Sequence, residues 1–233
     1  MAELMRYYPV FLDIRGKRCA VVGGGKVAER KALGLLSAGA LVSVISPRLT
    51  VRLKGLALAG KVEHISRRFE KGCLKGAAIV IAASDSKDVN AAVFKEAARR
   101  GIPVNTVDDP ALCSFIVPSA IERGDLTIAI STGGKAPALA KRVREYLEKI
   151  IGMEYALFTE IIGAARNNLL KRGVNRVKKE RVINALIDSP LLDLIRANDR
   201  TKIDALLKNL LGEGFSSSPA SDMRGQAPIK AKK

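Results

Sequence analysis

Three short stretches of this 233-residue chain group side chains in ways that chemistry could use. The first is "VNTVDDP", residues 104–110. Asp108 and Asp109 follow a β-prone run, so they stand where a strand should end. A carboxylate there, beside a redox cofactor, can act as a general base or hold a substrate N–H. Asp-Asp-Pro is also ordinary turn sequence, and spacing alone leaves both readings open. Asp109 is expected to turn away from any cleft that Asp108 faces. The second stretch is "ISTGGKAP", residues 130–137. Ser131 and Thr132 offer hydroxyls, Gly133 and Gly134 offer backbone N–H groups, and Lys135 adds charge just before a helix. These residues suit a carboxylate or phosphate, and a plain helix N-cap would use them equally well. The third is "CAVVGGGKVAERKALGLLSAGALVSVISPR", residues 19–48. Gly23, Gly25 and Ala28 match G-x-G-x-x-A, in which the first glycine makes a tight turn and the second admits a pyrophosphate. The small third residue brings helix and strand close.

The elements around these stretches decide whether they can meet. Residues 19–22 read as a strand buried on both faces. The helical spacing of Ala28, Ala32, Leu35 and Leu36 predicts a helix that Gly39 ends, and residues 41–45 form a second strand. That is a βαβ unit with its glycines in the right place. Its second strand ends in Ile45-Ser46-Pro47-Arg48, with no carboxylate for a ribose. Ser46 and the backbone around Pro47 and Arg48 are the candidates instead. Arg48 could also pair with a 2′-phosphate, so the motif itself admits both NAD and NADP.

Further along, "LTVRLKGLAL" is weakly helical, "KVEHISRRF" reads as a strand and "AAIVIAAS" as a central parallel strand. "DSKDVNAAVFKEAARRG" reads as a capped helix ending at Gly101. The alternation predicts an α/β fold with a Rossmann-like, doubly wound parallel sheet. Ligands sit at the carboxyl ends of such strands, which lines up Gly23–Gly25, Ser46, Ser84 and Asn105–Asp109. The character then changes. "SFIVPSAIERGDLTIAISTGG" reads as two strands around a Gly124-Asp125 turn. "KAPALAKRVREYLEKII" is an amphipathic helix, and the pattern is helical throughout from about residue 153. The expected domains are 1–113, a dinucleotide-binding domain; 114–150, a small α+β segment; 151–215, helical; and 216–233, a disordered tail.

Composition limits the function classes. The net charge is +17, from 40 Lys plus Arg against 23 Asp plus Glu, so an acidic partner is expected. The excess is spread along the chain, and aromatics are only 4%, which argues against a nucleic-acid partner. No apolar run reaches the length of a membrane span. The first residues lack a signal-peptide core, and three scattered cysteines suggest a reducing, cytoplasmic compartment. One histidine, His64, reads as an ordinary strand residue, and no metal site is expected.

Together, GGGxVAxRK, VNxVD, SFIxPS and SxGGxxPxLAxxxRE make the chain resemble the precorrin-2 dehydrogenases, which include the amino-terminal module of sirohaem synthase. The resemblance runs at motif level from about residue 7 to 150, and more loosely to about 212. It implies NAD-dependent oxidation of precorrin-2, an anionic tetrapyrrole with eight carboxylate arms, to sirohydrochlorin. Some members also insert ferrous iron. It implies Asp108 as the catalytic group. Cofactor contacts would come from Gly23, Gly24, Gly25, Lys26, Val27, Pro47 and Arg48, with Ser46, Ser84 and Asn105 nearby. Ser131, Thr132, Gly133, Gly134 and Lys135 would meet the substrate. It also implies a homodimer in which the segment after the Rossmann part is exchanged. Thr132 stands where some relatives carry a serine that can be phosphorylated, so no modification is expected. No fused methyltransferase is expected within these 233 residues, and a separate enzyme is expected to supply precorrin-2. The competing expectation is a non-catalytic NAD-sensing module.

Overall fold

The computed structural model describes residues 7–212, and these divide into two compact units. One comprises the chain up to Pro118 together with Thr132–Pro137. The other comprises Ser119–Ser131 and the residues from Ala138 on.

The first unit holds β1 (Arg18–Val22), α1 (Lys26–Ser37), β2 (Leu41–Ile45), α2 (Val51–Leu58), β3 (Glu63–Ile65), β4 (Ile79–Ala82), α3 (Lys87–Arg99) and β5 (Val104–Thr106). The strands are all parallel in the order β3-β2-β1-β4-β5. The period-two geometry of a strand explains the layers. Cys19 and Val21 face one core with Ala28, Ala32 and Leu35 of α1. Ala20 and Val22 face the other with Val93 and Ala97 of α3. Both faces of β1 are therefore apolar, and a continuous apolar run is what such a strand needs. The strand expected over "KVEHISRRF" is only three residues long. It is an edge strand paired with β2 alone, and the chain turns at once through Arg67 N–H to Ile65 O (2.8 Å). β1 rather than β4 occupies the centre of the sheet, and β4 lies beside it, fully buried. The chain crosses from β1 leftward to β2 and later rightward to β4. A crevice opens at the carboxyl ends where that direction reverses.

The second unit begins with an antiparallel hairpin, β6 (Ser119–Arg123) and β7 (Leu126–Ile130). Gly124 takes φ of 59°, as a two-residue hairpin turn requires. Then follow α4 (Pro137–Ile150), α5 (Glu154–Lys171), α6 (Arg176–Ile187), α7 (Leu191–Arg196) and α8 (Arg200–Leu211). α5, α6, α7 and α8 share one core, built on Ile161, Ala165, Leu169, Leu186, Leu191 and Leu207. The tail expected from residue 216 lies outside the described residues. No described helix is long and apolar enough to cross a membrane.

Candidate dinucleotide site and cleft

The glycine turn connects β1 to the first turn of α1. A Cβ on Gly23 would fall inside the Ala83 carbonyl, and φ of 124° there bars L side chains as well. A Cβ on Gly24 would fall inside the Arg48 carbonyl. These two glycines are required by the protein's own packing. Gly25 is different: a Cβ there would meet nothing within 4 Å, and its φ of −80° suits any residue. Gly25 is the N-cap of α1, with no side chain capping the helix. A bare N-terminus beside open space leaves room and N–H donors for a pyrophosphate. The site thus suits a dinucleotide on features of this chain alone.

The end of β2 braces that turn. Ser46 is buried and its hydroxyl donates to Arg48 O (2.7 Å), while Thr50 N–H donates to Gly24 O (3.0 Å). Pro47 and Arg48 are exposed at this end of the strand. His64 on β3 donates from Nε2 to Ser46 O (2.9 Å), which keeps it an ordinary strand residue with one anchoring bond. Sequence reasoning passed over Glu29. It is buried in the first turn of α1, accepts from the Thr50 hydroxyl and lies 3.8 Å from Lys26 Nζ. A carboxylate in a first helical turn complements the dipole, and here it also ties α1 to the N-cap of α2.

An open cleft of about 330 Å³ lies beside this turn. Val27 of α1 lines it together with Ala83, Ser84, Asp85, Thr106 and Asp108. Asn90 fixes the loop after β4 by bonding both ways to Ser84: Oδ1 accepts from Ser84 N–H (3.1 Å) and Nδ2 donates to Ser84 O (2.9 Å). Asp108 has φ of 60°, one of two non-glycine residues with positive φ among those described. Aspartate tolerates that region better than most residues, but it still stores strain, and such strain gathers at functional sites. Asp109 caps the 3-10 turn Pro110–Leu112, accepting from Ala111 N–H (3.2 Å). It also borders the cleft, so the expectation that it turns away is too simple: capping holds it at the rim. Asn105 lies deeper. It is buried, and Nδ2 donates to Phe115 O (3.0 Å) and to Cys113 Sγ (3.6 Å). Its neighbour Thr106 is the β5 residue that lines the cleft.

The stretch 131–135 forms a turn before α4. Thr132 Oγ1 accepts from Ala136 N–H (3.1 Å), and Thr132 O accepts from Lys135 N–H (3.1 Å). Gly133 and Gly134 have φ of 63° and 86°. Ser131, Gly133, Gly134 and Lys135 are exposed. Among the described residues no cluster of His, Cys, Asp or Glu is arranged to hold a metal ion.

A parallel five-stranded sheet with a bare helix N-terminus at its switch point defines a dinucleotide-binding α/β protein. A family model described as putative NAD(P)-binding matches residues 10–119, and one described as sirohaem biosynthesis protein central matches residues 123–150. Siroheme synthase of Methylobacillus flagellatus is 43% identical over 168 residues, covering 72% of this chain and 36% of that protein. Siroheme synthase 1 of Aeromonas salmonicida is 38% identical over 225 residues, covering 96% and 48%. The chain thus spans less than half the length of these relatives. The solved structure of SirC, precorrin-2 dehydrogenase, superposes with a TM-score of 0.72 at 25% identity, covering 88% of this chain and 98% of that one. The chain belongs to the precorrin-2 dehydrogenase family.

Proposed function

We propose that this protein oxidises precorrin-2 to sirohydrochlorin with NAD, and that Asp108 is its general base. The observation that carries the reading is the cleft itself: one wall is Val27, next to the open glycine cradle, and Asp108 lines the same space in strained backbone. NAD, when bound, supplies the acceptor for a hydride. The chain's own residues do the rest. Gly25 and the N-terminal N–H groups of α1 hold the pyrophosphate, with Lys26 beside them. Ser46, through its carbonyl and hydroxyl bonds, keeps the loop Pro47–Arg48 in place for the ribose. Asp108 Oδ takes the proton that the substrate loses, and its charge steadies the positive character that grows in the ring as the hydride leaves. The net charge of +17 suits a substrate with many carboxylates, and the 131–135 turn is the proposed holder of one of them.

The test is an anaerobic assay with precorrin-2 and NAD, followed by ferrous iron. Asp108→Asn keeps size and hydrogen bonding and removes the base. It is expected to fold and bind NAD yet lose about a hundredfold of the dehydrogenase rate. Near-normal turnover in this variant overturns the assignment. Tight NAD binding with no turnover by the native protein would favour a sensing module instead. Conversion of the product on adding iron would extend the activity to ferrous iron insertion.

The same reading includes a homodimer. On α4, Leu139, Val143, Tyr146 and Ile150 are exposed at 55%, 37%, 64% and 48%. Their spacing of four, three and four residues puts them on one helix face, an apolar stripe that a second copy would cover. Tyr146→Glu is expected to shift sedimentation toward the monomer. Three free cysteines, two of them buried, accord with a reducing cytoplasm.

A further inference from the structure

The loop that carries Asp108 leaves β5 at Thr106 and comes back beside the strand at Cys113–Phe115. Its two ends are tied: Ser114 N–H donates to Val104 O (2.9 Å), and Ser114 Oγ accepts from Val104 N–H (2.8 Å). Thr106 Oγ1 donates to Leu112 O (2.8 Å). Among these ties stands the Cys113 thiol, half-buried. Its sulfur accepts from Thr106 N–H (3.2 Å) and from Asn105 Nδ2 (3.6 Å). Its S–H is shared between Thr106 O and Asp109 O, each 3.2 Å away. The thiol is thus bonded to the backbone on both sides of Asp108. Thr106 is buried, so its N–H has no water to turn to if the sulfur is taken away.

Asp108 needs such a frame. Its φ of 60° is costly for a residue with a side chain and persists only where the surroundings enforce it. On one side, Val107 N–H donates to Ala82 O of β4 (2.9 Å), which fixes that residue to the sheet. On the other, Asp109 O accepts from Leu112 N–H (3.2 Å) and from the thiol. A thiol suits this place because it packs as a small apolar group and is at once a weak donor and a weak acceptor.

Resting on the reading of Asp108 as the general base, we infer that Cys113 is a positioning residue for the reaction. Its thiol clamps Thr106 and Asp109 and so holds the Asp108 carboxylate at the cleft wall, which those three residues share. It acts through the backbone and touches neither cofactor nor substrate. The role uses the thiol as a hydrogen-bonding group and asks no redox step of it.

The clamp can be tested without turnover. Cys113 has extended backbone (φ −123°, ψ 127°), which valine accepts. Cys113→Val fills the space and removes every side-chain hydrogen bond, whereas Cys113→Ser keeps a donor and an acceptor. Amide hydrogen exchange followed by NMR should show Thr106 N–H exchanging at least about tenfold faster in Cys113→Val than in the native protein, with most of the protection kept in Cys113→Ser. Unchanged protection of Thr106 in the valine variant overturns the clamp. Should valine prevent folding, Cys113→Ala takes its place with the same expectations.

Kinetics separate positioning from plain structural support. Cys113→Val should lower kcat about tenfold, the scale of a slightly misplaced group, with the Kd for NAD unchanged, and Cys113→Ser should recover most of the rate. The deciding measurement is the double variant. In Asp108→Asn there is no base left to misplace, so adding Cys113→Val should lower kcat by less than about twofold. A full tenfold loss in that background, or unchanged kcat in Cys113→Val alone, overturns the inference. If the native protein fails to oxidise precorrin-2, the reaction reading falls by itself, and the exchange of Thr106 still decides whether the thiol holds the loop.

Discussion

Two glycine turns each lead into a helix here, and their glycines are present for different reasons. In the turn before α1, Gly23 and Gly24 are pressed against the carbonyls of Ala83 and Arg48. The turn is built into the sheet, and its sequence is fixed by the strands around it. In the turn before α4, Gly133 and Gly134 have nothing within 4 Å of where a Cβ would go. Only their positive φ calls for glycine. Gly25 fits neither case, because both its space and its dihedrals would accept a side chain. A glycine that its own protein does not need is the clearest sign of a ligand in that turn.

Substitution separates these cases, and the largest effect should come from the packed pair. Gly24→Ala sets a methyl group into the Arg48 carbonyl, and Gly23→Ala adds an unfavourable φ to a clash with Ala83. Each is expected to cost about 3 kcal/mol or more, enough to lower the melting temperature steeply in thermal denaturation. If either alanine variant melts like the native protein, the turn is not pinned by the strands and the contrast fails.

Next in size is Gly25→Val. The fold should survive, and NAD should bind at least tenfold more weakly, about 1.4 kcal/mol. Calorimetry showing unchanged affinity together with an unchanged melting temperature would leave Gly25 without a function. The same titration settles cofactor choice. NAD is expected to bind more tightly than NADP even though Arg48 stands exposed at the end of β2.

The contrast between the turns also shows what the sequence could disclose. The βαβ unit is legible because its signals are local: an apolar run, three glycines, then helical spacing that ends at Gly39, where the structure ends α1 at Ser37. The hairpin around Gly124 and the helix after Pro137 are legible for the same reason. The short β3 is less so, since an edge strand pairs on one side and its length depends on a neighbour. Side-chain roles that depend on tertiary contacts are hidden. Ser46 reads as a ribose ligand, yet its hydroxyl is occupied with Arg48 O. Asn105 reads as a cleft residue, yet its amide holds the segment Cys113–Phe115. Glu29 and Asn90 look like ordinary polar positions on helices, and only the fold brings them to Thr50 and Ser84.

The smallest effects belong to the second turn, and there the open question is which role the loop serves. If the loop holds a substrate carboxylate, Lys135→Glu replaces an attractive charge with a repulsive one and should raise the KM for the tetrapyrrole about fivefold, within the range of an exposed ion pair. NAD affinity should not move. Thr132→Ala removes the oxygen that accepts from Ala136 N–H. It should cost about 1 kcal/mol of stability, as the loss of a side-chain-to-backbone hydrogen bond does, with a smaller rise in KM. Gly133→Ala faces φ of 63° but no clash, so it too should cost about 1 kcal/mol, well below the loss at Gly24. The pattern across the three variants carries the decision. A KM that rises with Lys135→Glu while stability holds marks an anion site. Stability losses at Thr132 and Gly133 with substrate kinetics untouched in all three reduce the turn to a lead-in for α4, and the substrate's carboxylates must then find their cations elsewhere on the basic surface.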